Sequence, residues 1–91
     1  MIYKVTFSPE ADEDIKKLKH NEPKAYKKLK TLLIELQEHP FIGTGRPKPL
    51  RENKSGQWSR RITQKHRLVY RVVEDHITVL VLSAYGHMDD N

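Results

Sequence analysis

An α+β fold, an antiparallel sheet with two helices on one face, is what this chain predicts. Three observations carry it. Runs of period two, the mark of strands, stand at the amino terminus and again through the second half. Two stripes of helical period lie between them. The resulting order, β-α-α-β-β-β, calls for four strands with the helices packed to one side. Ninety-one residues make one domain, residues 1–91, and a chain so short buries only roughly 60–65% of its unfolded surface. That leaves room for one sheet and one helical layer, without a deep enclosed cavity.

The elements follow in order. Ile2 to Phe7 alternates, with Tyr3, Val5 and Phe7 on one side. Ser8 then Pro9 is a helix start: a capping hydroxyl before proline at the first helical position. Acidic Glu10, Asp12, Glu13 and Asp14 precede basic Lys16, Lys17 and Lys19, the order a helix dipole favours. Asn21 is expected to cap a second helix, with Pro23 in its first turn. Tyr26, Leu29, Leu32, Leu33 and Leu36 form its stripe, which is core, and Pro40 closes it. Lys24, Lys27, Lys28 and Lys30 lie mostly off the stripe, as a solvated face or one that rests on RNA backbone.

Phe41 to Asn53 breaks the periodicity. Its GTGRPKPL (Gly43–Leu50) lacks the third glycine of a dinucleotide loop and the Gly-Lys-Ser/Thr ending of a Walker loop. It reads as a stiff connection across the sheet, with Pro47 and Pro49 holding Lys48 and Arg51 in place. Strands follow at Ser55–Thr63 and from His66 to about Val73, then a turn at Glu74-Asp75 and a nearly continuous apolar strand from Ile77 to Ala84.

Alternation sorts the two middle strands. Trp58, Arg60 and Ile62 oppose Ser59, Arg61 and Thr63; Leu68, Tyr70 and Val72 oppose Arg67, Val69 and Arg71. The apolar set is core, so Arg67 and Arg71 take the second face, where Arg61 can join them. Such arginines most often form a solvated or carboxylate-paired face; the alternative is a polyanion site.

Lys and Arg number 17 against 12 Asp and Glu, a formal charge of +5. That balance favours nucleic acid or an acidic protein as partner. With no cysteine, disulfides, thiol catalysis and thiolate metal sites are excluded, and the histidines show no metal-ligand spacing. No run approaches a membrane span, and the amino terminus is too short and charged for a signal peptide. A soluble cytoplasmic protein is expected.

The run SGQWSRRITQKHRLVY (Ser55–Tyr70), with GTGRPKPL upstream and SAYGH (Ser83–His87) downstream, resembles the YoeB/Txe branch of the RelE-type bacterial toxins over most of residues 40–87. The resemblance implies a RelE-like fold and a ribosome-dependent endoribonuclease, the toxin of a type II toxin–antitoxin pair. Such an enzyme cuts messenger RNA in the ribosomal A site without metal or cofactor, by 2′-hydroxyl attack. By position it implies His87 as general acid and Arg67 as the stabiliser of phosphorane charge. Arg51 and Arg61 would hold RNA backbone, with Arg46 and His66 in the same cleft. Where the family pattern has a glutamate base this chain has Lys48, and Glu52 is a second candidate; after the terminal histidine Met88 replaces tyrosine. These departures open an alternative, a weakened member kept as a binding module. The implied partners are a YefM/Axe-like antitoxin, acidic and partly disordered, the ribosome with its messenger, and operator DNA through the antitoxin complex alone. A homodimer is left open, and no membrane partner is implied.

Overall fold

The computed structural model describes residues 2–50 and 56–86. The α+β class and the two helices are as expected. The sheet differs in detail: it has five strands in the order β1-β5-β4-β3-β2, and β1 runs parallel to β5 while the other pairs are antiparallel.

Strand β1 (Lys4–Phe7) leads through Ser8 into α1 (Pro9–Asn21). Ser8 does two jobs. Its Oγ accepts from the Ala11 amide at 3.0 Å, capping the helix, and donates to the Leu82 carbonyl at 2.8 Å. Asp14, one turn on, is buried and accepts from the Ala84 amide at 2.9 Å. The helix is therefore tied to both ends of β5's last turn of chain, and Asp14 gains the partner a buried carboxylate requires.

Asn21 does not cap the second helix as expected. It is the last residue of α1, and Glu22 alone separates α1 from α2 (Pro23–Leu36), with no side-chain capping bond. Proline at 23 brings no N–H to the first helical position and so needs no acceptor there. Leu29, Leu32 and Leu36 are fully buried and meet Leu18 of α1 in one core. From the sheet come Leu68 and Tyr70, on the face the alternation assigned to the interior, with Val79 and Val81 of the apolar last strand.

The connection after α2 carries the fifth strand, β2 (Lys48–Pro49), which pairs with β3 (Gln57–Arg61). Strand β4 (Arg67–Val73) pairs with β3 on one side and β5 (Thr78–Ser83) on the other. Two glycines let the connection lie close. A Cβ on Gly43 would stand 2.5 Å from Glu35 Oε1, and one on Gly45 would stand 2.8 Å from the Arg61 carbonyl oxygen. Both have φ in the left-handed half of the map, +124° and +86°. Among the described residues no helix is long and apolar enough to cross a membrane.

Candidate active site

Register fixes which side chains share the face away from the helices. Directly opposed residues in a ladder point the same way. Lys48 opposes Ser59, Ser59 opposes Val69, Arg61 opposes Arg67, and Gln57 opposes Arg71. One face thus carries Lys48, Arg61, Arg67 and Arg71, and the expectation that Arg61 joins Arg67 holds as a direct cross-strand pair. Strand spacing and rise put the Lys48 and Arg67 backbones about 12 Å apart, with Arg61 between them. Long basic side chains from all three positions can converge on one phosphodiester.

Arg46 stands beside this group. It follows Gly45, whose carbonyl accepts from the Arg61 amide at 2.7 Å, and it is itself exposed with φ +52°. A non-glycine residue held there is strained, a condition that gathers at functional sites. Arg46, Arg61 and Arg71 enter no ion pair among the described residues. Like charges set side by side make a field that an anion would relieve.

Arg67 is 8% exposed, and its amide donates to the Gly86 carbonyl at 2.9 Å. The chain's approach to His87 is thereby bonded to Arg67's own backbone. His87 itself, with Arg51, Glu52 and Met88, lies outside the described residues.

His66 takes a different place from the one expected. It is 1% exposed, its Nε2 lies 2.8 Å from Glu22 Oε2, and its Nδ1 accepts from the Gly86 amide at 3.0 Å. With both ring nitrogens engaged and no surface, it does not present itself to RNA. It holds the fold together behind the cationic face.

Arg60 and Glu35 were invisible as partners in the sequence. Arg60 is fully buried among core residues: Nε donates to the Tyr70 hydroxyl at 3.1 Å, one terminal nitrogen to Glu35 Oε1 at 2.9 Å, and the other to the carbonyls of His39 and Ile42. Glu35 also accepts from the Thr44 amide and hydroxyl. Burial opposes ionisation of Glu35, yet the two Thr44 bonds and the Arg60 guanidinium outweigh it and hold the carboxyl below its ordinary range. Burial pushes the Tyr70 phenol up, against the pull of Arg60. The one readable signal was that Arg60 falls between Trp58 and Ile62 on the inward set.

The sequence and the overall fold both resemble known proteins. The family model described as YoeB-like toxin of bacterial type II toxin-antitoxin system matches residues 7–87. Toxin YoeB of Mycobacterium bovis is 43% identical over 76 residues, covering 84% of this chain and 89% of the relative. The YoeB dimer from Staphylococcus aureus superposes with a TM-score of 0.83 at 38% identity, over 96% of this chain and 99% of the other. A heterotetrameric YoeB-YefM toxin-antitoxin complex from the same organism gives 0.80 at 36% identity, over 96% and 99%.

Proposed function

This chain belongs to the YoeB-like toxins of bacterial type II toxin–antitoxin systems, and from that premise we propose that it is a ribosome-dependent endoribonuclease cutting messenger RNA in the A site. One observation supports this most: Lys48, Arg61 and Arg67 share a sheet face by register, and the chain leading to His87 is bonded to Arg67.

The chemistry follows from those groups. Lys48 in its neutral form takes the proton of the ribose 2′-hydroxyl, whose oxygen attacks the adjacent phosphorus. Charge building on the phosphorane oxygens is held by the Arg67 guanidinium. The bond to the 5′-oxygen breaks, and that oxygen leaves with the proton of His87. The products are a 2′,3′-cyclic phosphate and a 5′-hydroxyl, with no metal or cofactor taking part. Since the nucleophile is built into the substrate, fixing its geometry supplies much of the rate. Arg46, Arg51 and Arg61 hold the flanking backbone through charge-assisted bonds.

The solved Staphylococcus aureus relatives include a complex with YefM and a dimer. A YefM-like acidic antitoxin is accordingly the partner we propose, one that neutralises the cationic face and links the toxin to operator DNA; self-association as a dimer goes with it. Residues 1–91 act as one domain in the cytoplasm, where ribosomes are. Expression without antitoxin is expected to arrest growth, and His87→Ala in folded protein to relieve the arrest. Undiminished arrest by that variant would remove His87 from the mechanism. Lys48, standing where the resembled pattern has glutamate, favours a second reading, a binding module that no longer cleaves.

A further inference from the structure

We propose that Glu22 and His66 form a positioning pair that fixes the Gly86 peptide against Arg67, and so sets the cleavage rate without touching RNA. This rests on the nuclease reading above.

The pair begins at the single residue between the two helices. Glu22 Oε2 lies 2.8 Å from His66 Nε2, and His66 Nδ1 lies 3.0 Å from the Gly86 amide. An amide can only donate, so Nδ1 carries no proton. In the neutral ring the proton is then on Nε2, where it donates to the Glu22 carboxylate. One tautomer satisfies both neighbours, and the carboxylate selects it, as outer carboxylates do for working imidazoles elsewhere.

Gly86 is gripped from both sides. Its amide meets His66, and its carbonyl accepts from the Arg67 amide at 2.9 Å. The residues before it are also held: Ala84 by Asp14 at 2.9 Å, and Tyr85 with its ring 4.4 Å from the imidazole. Gly86 has φ +78°, a conformation a Cβ disfavours. A glycine that could swing freely is instead pinned by two hydrogen bonds, one of them from the residue that carries the stabilising guanidinium. Such a part-buried polar chain is what holds a site to the fraction of an ångström that catalysis needs.

Two substitutions of the same ring separate this role from mere packing. In His66→Asn the amide oxygen falls where Nδ1 was, keeping the Gly86 bond and giving up Glu22. In His66→Gln the reach is to Glu22, and the Gly86 bond is lost. His66→Gln is expected to lower kcat on programmed ribosomes by about 10- to 100-fold with KM nearly unchanged, and to raise the exchange rate of the Gly86 amide. His66→Asn is expected to keep most of kcat and the amide's protection. In the wild type, nitrogen chemical shifts of His66 should show the Nε2–H tautomer. An Nδ1–H tautomer, or a Gly86 amide equally protected in His66→Gln, overturns the pair whatever the activity; so does an equal kcat loss in both variants. If the wild type does not cleave at all, the nuclease reading fails, while the tautomer and the amide exchange still decide the pair. Should His66→Gln not fold, Glu22→Leu in the intact chain, which leaves Nε2–H without its acceptor, is expected to raise the exchange rate of the Gly86 amide, and unchanged exchange counts against the carboxylate's part in the pair.

Discussion

In the proposed mechanism one side chain, Lys48, is the base. As base it must be neutral, and an ordinary lysine frees its lone pair only near about pH 10, an ordinary glutamate near about pH 4. Lys48→Glu should therefore keep cleavage and move the rising limb of the pH–rate profile toward acid. Lys48→Ala should lose about 100-fold or more. An unshifted profile in Lys48→Glu would remove Lys48 as base. Arg60 is the opposite case, a cation spent wholly on structure. Arg60→Met removes the guanidinium from Glu35 and leaves the carbonyls of His39, Ile42 and Thr44 without that donor, and should cost about 1–3 kcal/mol in urea unfolding. From the sequence, Arg61 and Arg67 could be placed because alternation needs no partner to be read. Arg60 sat in the right set, but nothing in composition tells which distant carboxylate will satisfy a buried guanidinium.

Among elements, the helices were the most legible and the sheet edges the least. Ser8-Pro9 and the leucine stripe announce α1 and α2 through local rules. The pairing of β1 with β5 brings together residues from opposite ends of the chain, Lys4 with Thr78, and alternation in Ile2–Phe7 does not carry that information. Strand β2 spans two residues, too few for any period to show; Pro47 and Pro49 announced stiffness and left the pairing with Trp58 and Ser59 unsaid. The segment between α2 and β2 is held through Glu35, whose carboxyl lies below its ordinary 4.5. A carboxyl depressed by folding adds stability above its unfolded pKa, and that part is lost as pH falls through the folded value. Wild-type stability should thus drop on acidification below about pH 4.5 more steeply than that of Glu35→Gln, as urea midpoints at several pH values would show. Parallel curves would count against the Glu35 network.

At the scale of the molecule, helices and core occupy one side of the sheet and a set of basic residues the other. The net charge of +5 is divided unevenly, with Arg46, Arg61 and Arg71, which enter no ion pair among the described residues, near Lys48 and Arg67. That division was foreseeable from alternation plus charge. The tie between Gly86 and Arg67 was not, because it depends on where β5 ends against β4 in three dimensions. The fold gathers Lys48, Arg61, Arg67 and Arg71 on one sheet face, and the proposed function depends on that face holding a phosphate. Single-turnover cleavage of messenger on programmed ribosomes, comparing wild type with folded Arg67→Ala, tests it most directly. A fall of about 100-fold or more is the result predicted, and a rate equal to wild type would contradict it.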